Sequence, residues 1–417
     1  MKQSTAFRIL KSGHNVYLGG SAGTGKTHLL NRYIDHLKGE MIGVGVTAST
    51  GIAATHLNGV TIHSWAGFGI KEELTSDDMS NLRTKHYLRH RIKKAEVLII
   101  DEISMLSAHQ LDMVDQICRE FRKNDLPFGD LQVVLSGDFF QLPPIQKNGY
   151  KPKFAYDSEV WHDMNIKICY LTKPHRQHDA EFLQILNEIR ANQVTQKSMQ
   201  LLDGRMNRSI KKKATKLYTH NVDVDAINGA ELAKIKTKPQ SYSMNSSGLD
   251  VLVEVLKKHC RTHENLVLKK GAMVMFVKNN FDKGYVNGTL GEIIGFDADN
   301  FPIVKTYDGQ KITAKPATWA IEENDDVKAQ ITQIPLRLAW AITVHKSQGM
   351  SLDAAEIDLT KSFEHGMGYV ALSRVKSLKG IQLLGVNEMS LSVDPAIIEL
   401  DEKLRFASRR MEEEFEG

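Results

Sequence analysis

The stretch GSAGTGKT at 20–27 lies between a strand-like apolar run, Val16, Tyr17 and Leu18, and a helix-like run from His28 to Leu37. It fits the pattern G-x-x-x-x-G-K-[ST]. Strand, glycine loop and helix in that order predict a parallel α/β sheet with the loop at a strand's carboxyl end, where such sheets bind ligands. Gly20, Ala22, Gly23, Thr24 and Gly25 form the cradle. Gly23 and Gly25 permit the bends that turn N–H groups inward on anionic oxygens. The following helix adds the positive end of its dipole. Lys26 supplies a point charge for the outer phosphates and Thr27 a hydroxyl for Mg²⁺. The loop therefore predicts ATP or GTP binding and leaves the use of the energy open.

At 417 residues the chain has room for two or three domains, and a net charge of +4 permits a polyanionic partner without requiring one. Three separated cysteines, Cys118, Cys169 and Cys260, point away from a disulfide framework and toward a reducing compartment. His259, Cys260 and His263 lack a nearby fourth ligand and read as unconnected residues. No run approaches the ~20 apolar residues of a membrane span, and no targeting segment precedes the glycine loop.

Further strands are expected at Ile42–Thr47, Val97–Ile100 and Gln132–Ser136, apolar on both faces as in a helix-covered parallel sheet. Leu111, Val114, Ile117, Cys118 and Phe121 recur at helical spacing. The basic segment 82–94 reads as a solvated helix face. From about 229 to 330 the patterns turn short and β-like. Alternating Met273, Met275 and Val277 suggest a half-buried strand, and Asn287-Gly288 and Asp308-Gly309 suggest hairpins, as in a small antiparallel barrel. The tail from 400 is charged and helix-prone.

Two strand ends carry candidate chemistry. VLIIDEIS at 97–104 ends in Asp101, suited to Mg²⁺, and Glu102, suited to polarise an attacking water. GDFFQLPP at 137–144 places Gln141 where it can sense a γ-phosphate, with Pro143 and Pro144 stiffening the exit. The acidic pair favours ATP hydrolysis over a GTPase switch.

Taken in order, GSAGTGKT, TASTGIAA (47–54), TIHSWAG (61–67), LIIDEISML (98–106), GDFFQLPP, LTKPHRQ (171–177), VHKSQGMS (344–351) and YVALSRV (369–375) resemble the motifs of superfamily-one DNA helicases. The match is closest to the Pif-one (petite integration frequency) family and runs from about residue 3 to 385. The segment Asp112–Gln132 resembles the family's signature region but has Asp130 where a second glycine is usual.

The resemblance implies two RecA-like domains, at 1–170 and at 171–228 with 331–417. A Src-homology-3-like barrel is inserted at 229–330, and a wedge-like element lies near 68–92. It implies ATP and Mg²⁺ as cofactors and 5′-to-3′ movement on single-stranded DNA that unwinds duplex, forked or structured DNA, G-quadruplexes included. Gln3, seventeen positions before Gly20, would read adenine. Asp101 would hold Mg²⁺ with Thr27, Glu102 would activate water, and Gln141 would couple the γ-phosphate to DNA. Arg176 and Arg374 would act as arginine fingers, with Gln348 and Gly349 contacting nucleotide across the cleft. Thr50, His63, Phe68, His345 and Lys346 would touch DNA, with Trp65 divided between DNA and core. The expected setting is a monomer in the bacterial cytoplasm at the nucleoid, or in the nucleus or mitochondrion for a trimmed eukaryotic core, serving repair, recombination or telomere maintenance. Three alternatives are a RecD-like motor subunit, a non-hydrolysing DNA clamp and a small-molecule kinase. The lack of an acidic nuclease cluster, the presence of Glu102 with two arginines, and the 344–375 motifs weigh against them in turn.

Overall fold

The computed structural model describes the chain apart from residues 70, 145–152, 178, 207, 209, 211–213, 261, 279, 281, 286, 308, 324–325 and 417, and the side chains of 52, 55, 255, 258, 259, 321–323, 326 and 416. It forms two compact units, Met1–Ala214 with Ser347–Gly417, and Thr215–Lys346.

The first unit is built on a six-stranded sheet of β1 (Val16–Gly20), β2 (Val44–Ala48), β3 (Val60–Thr61), β4 (Val97–Asp101), β5 (Gln132–Gly137) and β6 (Lys167–Leu171). The order is β3-β2-β4-β5-β1-β6, and all neighbours are parallel. The expected strands are present, extended by one or two residues at their carboxyl ends; the second begins at Val44 instead of Ile42. Every residue of β1 and β4 is buried, which is why these runs are unbroken in hydrophobicity. The register pairs Gly19 with Gly137 and Ala48 with Asp101, so the motif-bearing strand ends lie side by side.

Helix α1 (Gln3–Lys11) precedes β1, and helices fill the crossovers: α2 (Lys26–Gly39), α3 (Gly51–His56), α4 (Ile62–Ala66), α5 (Ser76–Thr84), α6 (His86–Lys94) and α7 (Ala108–Arg122). α2 turns its Leu29, Leu30, Tyr33, Ile34 and Leu37 inward. α7 buries the five residues whose periodicity announced it. A reciprocal cap starts it: the Ser107 hydroxyl accepts the Gln110 N–H and the Gln110 side chain accepts the Ser107 N–H, both at 3.2 Å. Such a cap contributes about 1 kcal/mol. The basic segment is the end of α5 and all of α6, anchored by buried Leu82, Leu88 and Ile92 with Arg89, Lys93 and Lys94 outward.

After α7, Phe128, Gly129 and Asp130 have φ of 52°, 63° and 66°. A Cβ on Gly129 would lie 2.9 Å from the Cys118 carbonyl oxygen. Asp130 therefore occupies a left-handed position that favours glycine and that aspartate tolerates better than most residues.

The first unit also holds a parallel pair, Ala355–Leu359 with Ile381–Val386, the helix Met367–Ser373, and the long helix Pro395–Glu416. The last meets β6, where Ser408 Oγ accepts the Tyr170 N–H at 2.9 Å.

In the second unit, Thr215–Tyr218 pairs in parallel with Ala341–Thr343. An antiparallel five-stranded sheet runs Lys311–Thr313, Pro302–Thr306, Leu290–Phe296, Met273–Phe276, Leu336–Leu338. Strand Met273–Phe276 is buried at all four positions, not alternately as expected. It lies between two neighbours, and Val274 and Phe276 join the apolar core. The Asn287-Gly288 turn precedes Leu290–Phe296. At the other hairpin Asp308 lies outside the described residues, while Gly309 has φ 96° and donates its N–H to Thr306 O at 3.0 Å. The His259 side chain is likewise outside them; Cys260 is buried and its thiol donates to Lys257 O. Among the described residues no helix is long and apolar enough to cross a membrane.

Candidate nucleotide site

The loop after β1 is bent by Gly23 and Gly25 at φ 84° and 86°, and Gly25 caps α2. A Cβ on Gly23 would lie 2.7 Å from Arg176 Cβ and one on Gly25 would displace the Gln3 amide, and at both positions the left-handed φ disfavours a side chain. The Lys26 ammonium donates to Gly20 O at 2.6 Å and Ser21 O at 3.2 Å. Burial lowers its pKa, against the pull of Asp138, Glu102 and Asp101. Gln3 opens α1 and its amide donates to Thr24 O at 3.1 Å, which places it against the loop.

Asp101 ends β4 and is only 4% exposed. Burial, then the neighbouring Glu102 charge, pushes its carboxyl up to about 7. Glu102 has φ 52°, a left-handed conformation costly for a side chain with Cβ. Three contacts hold it there. Ser49 Oγ donates to Glu102 O at 2.8 Å, the Glu102 N–H donates to Asp101 Oδ1 at 2.9 Å, and Gln348 Nε2 donates to Glu102 Oε2 at 3.1 Å.

Two arginines reach the same place. Arg176 Nη1 donates to Ser373 O at 3.0 Å. Arg374, 1% exposed, donates through Nη2 to Gln141 Oε1 at 3.2 Å. Burial, then the like charge of Arg176, lowers Arg374 to about 10, so it stays cationic at neutral pH. Gly349 approaches His56, 3.4 Å from where its Cβ would be. A cavity of about 720 Å³ is lined by Lys26, Thr27, Asp101, Glu102, Gln141, Arg176, Gly349 and Arg374 among others. The glycine cradle, the cations and the cavity size fit a nucleoside triphosphate. Thr27 and Asp101 offer the oxygen donors that Mg²⁺ takes.

One buried network had no forecast in the sequence. Asp138, just beyond β5, accepts from Arg190 Nη1 at 2.8 Å on both oxygens and from the Tyr369 hydroxyl at 2.9 Å. Asp138 and Arg190 are 2% and 5% exposed. Burial pushes the Asp138 carboxyl up, but Arg190 and Lys26 outweigh it and hold it below the usual range.

The residues expected to touch DNA are less uniform. Thr50 caps α3, its hydroxyl accepting the Ala53 N–H at 3.3 Å. His63 on α4 is half-buried, its Nε2 3.3 Å from Gln110 Nε2. Phe68 departs from expectation. It is 2% exposed with its ring 5.0 Å from that of His63, so it packs behind the histidine and presents no surface to a strand. Trp65 is core, its ring filling the space beside Gly45. His345 and Lys346, at the end of the second unit, are helical, and Lys346 Nζ donates to Asn221 Oδ1 at 3.4 Å.

Comparison with known proteins follows the same lines. A family model described as PIF1-like helicase matches residues 2–211, and one described as DNA helicase Pif1, 2B domain, matches 252–296. The ATP-dependent DNA helicase Pif1 of Psychrobacter sp. (strain PRwf-1) is 45% identical across 100% of this chain and 72% of its own length. The human ATP-dependent DNA helicase PIF1 is 34% identical across 97% of this chain; the chain spans 63% of that relative. Among solved structures, Pif1 helicase from Candida albicans aligns with a TM-score of 0.90 at 33% identity, covering 96% of this chain and 98% of that one. Pif1 helicase from Bacteroides in complex with ADP-AlF3 and ssDNA aligns at 0.83 and 31% identity, covering 97% and 96%. These likenesses give the RecA-like helicase fold.

Proposed function

Because the chain belongs to the Pif1 family of helicases, we propose that the cavity is the ATPase centre of a motor that moves 5′ to 3′ on single-stranded DNA. The protein is an ATP-dependent DNA helicase, as its relatives are. The observation that carries the reading is convergence: the 20–27 loop, Asp101-Glu102, Gln141, Arg176 and Arg374 meet on one cavity.

Lys26 and the loop N–H groups bind the phosphates, and Gln3 reads adenine. Thr27 and Asp101 would hold Mg²⁺, which would supply charge neutralisation on the phosphate oxygens. Glu102 takes the proton of the attacking water, its carboxylate aimed by Gln348. Arg176 and Arg374 stabilise charge developing on the transferred group, and Gln141 links Arg374 to the strand-end turn. Gln348 and Gly349 complete the nucleotide contacts.

The domain assignment proposed is RecA-like at 1–170, RecA-like at 171–228 with 331–417, and a Src-homology-3-like insert at 229–330. In its support, the antiparallel five-stranded sheet falls largely within the insert. Thr50 and His63 bind the strand, with Phe68 bracing the histidine, and His345 and Lys346 add backbone contacts. The protein works as a monomer in a bacterial cell, on forked duplexes and structured DNA including G-quadruplexes.

Unwinding of duplexes bearing a 5′ or a 3′ overhang, with ATP, tests the polarity. Separation from the 5′-tailed duplex alone is expected; separation from the 3′-tailed duplex alone rejects the assignment.

A further inference from the structure

Tyr369 lies on the short helix Met367–Ser373, five residues before Arg374, and is 1% exposed. Its hydroxyl donates to Asp138 Oδ2 at 2.9 Å and accepts from Arg190 Nη1 at 3.0 Å and from the Ala22 backbone N–H at 3.0 Å. A phenol offers one donor and two acceptor positions, so all are used.

Ala22 belongs to the phosphate loop. Its N–H shares a peptide plane with the Ser21 carbonyl, which accepts from Lys26 Nζ at 3.2 Å and Thr24 Oγ1 at 2.8 Å. One rigid peptide therefore stands between Tyr369 and the loop lysine. The far end of the same helix serves both arginines. Ser373 O accepts from Arg176, and Arg374 donates to Gln141. Gln141 and Asp138 share one turn, the Gln141 N–H donating to Asp138 O at 2.9 Å. Gly366, at φ 82°, lets the helix start so close that a Cβ there would lie 2.6 Å from Phe140 O. The hydroxyl is thus a fixed point shared by the loop, the strand-end turn and the arginine-bearing helix.

We propose that Tyr369 is a positioning residue for ATP hydrolysis, its hydroxyl setting the register between Lys26 on one side and Arg176 and Arg374 on the other. The proposal rests on reading the cavity as an ATPase centre. Removing the hydroxyl leaves the Ala22 N–H and one Asp138 lone pair buried without partners, and both regain partners only by moving. Displacement of about 1 Å at a reacting centre can cost on the order of a hundredfold in rate.

The test is Tyr369→Phe, alone and with Arg374→Ala, with near-UV circular dichroism to confirm folding. DNA-stimulated kcat should fall by at least about tenfold in the single variant. In the Arg374→Ala background the same change should cost less than about twofold, because both residues act through one alignment. A folded Tyr369→Phe protein with kcat within about twofold of the parent overturns the proposal, as does a full tenfold loss on top of Arg374→Ala. Amide exchange in the unaltered protein decides independently of any variant's folding: Ala22 N–H should be protected, and exchange at the rate of an unstructured peptide overturns the proposal. Glu102→Gln run alongside separates the premises. If it keeps full turnover the ATPase assignment fails, while Ala22 protection still decides the Tyr369 contact.

Discussion

Replacing Arg190 with methionine isolates the buried network from the reacting groups. Methionine keeps the length of the stem and contact with the Phe140 ring, over which the guanidinium now stacks at 4.0 Å. It removes both 2.8 Å bonds to Asp138 and the 2.7 Å bond to the Tyr170 hydroxyl. Asp138 then keeps the Tyr369 hydroxyl and a 3.4 Å contact from the Phe140 N–H. Breaking a buried ion pair on one side costs about 3–5 kcal/mol. Unfolding entropy of about 2.1 cal/mol/K per residue gives roughly 0.6 kcal/mol/K for the larger unit, Met1–Ala214 with Ser347–Gly417. The melting midpoint should therefore drop by about 5–8 °C. A double variant, Asp138→Leu with Arg190→Met, should regain most of that, because an apolar pair carries no desolvation cost. The pH response supplies a sign. In the unaltered protein Arg190 and Lys26 hold Asp138 low, so its contribution is present above the unfolded pKa of 3.8 and is lost only as pH falls through the lower folded value. In Arg190→Met only Lys26 and the Tyr369 bond oppose burial, so the carboxyl should take up a proton more readily folded than unfolded and the deficit should narrow from pH 7 to pH 5. Calorimetric melts across that range are the assay. A midpoint within 1 °C of the parent, a double variant less stable than the single, or a deficit that widens on acidification refutes the reasoning.

Glu102→Gln should still bind a fluorescent ATP analogue but lose about 10²–10⁴-fold in DNA-stimulated turnover, read by phosphate release, since only the base is removed. Asp130 is exposed at φ 66°, so its identity matters through the backbone. Asp130→Ala should cost about 1 kcal/mol and Asp130→Gly no more than about 0.5 kcal/mol, measured by denaturant unfolding. Burial holds His63 below its ordinary 6.5. Its neutral form favours the fold, so that stability is complete above pH 6.5 and declines as pH falls through 6.5 toward the folded value; His63→Asn should flatten the slope of melting midpoint against pH in that window.

The glycine loop, the acidic strand end and the Gln141 turn were legible because each is a contiguous string on a buried strand. Hydrophobicity fixes the strand, and the next residues must then lie at its carboxyl end. Gln3 came from family likeness, through a spacing to the loop that means nothing without the family, and α1 sets its amide against Thr24. Arg176 and Arg374 came from family likeness, since nothing in local chemistry separates them from surface arginines. The contact among Asp138, Arg190 and Tyr369 was not legible, although the first and last lie inside the GDFFQLPP and YVALSRV strings. They stand 52 and 231 positions apart from one another through Asp138, and side chains converging over that range leave no periodic trace. Phe68 was placed on DNA because it opens the family's wedge-like element, and that position gives no sign of which way the ring faces; its burial against His63 is a tertiary choice. Met273–Phe276 failed for a related reason, as alternation in residue type does not reveal a strand covered on both faces.

The seat of the helix Pro395–Glu416 on β6 bears on solubility. β6 is an outer strand of its sheet, and the opposite outer strand, β3, has only two residues. An uncovered outer strand is a template for pairing with another chain. Here the Tyr170 N–H is taken by Ser408, and its hydroxyl bonds Asp401 of the same helix. Cleavage before Pro395 would uncover that strand, so damage there should register first as self-association in light scattering, ahead of any fall in ATP turnover.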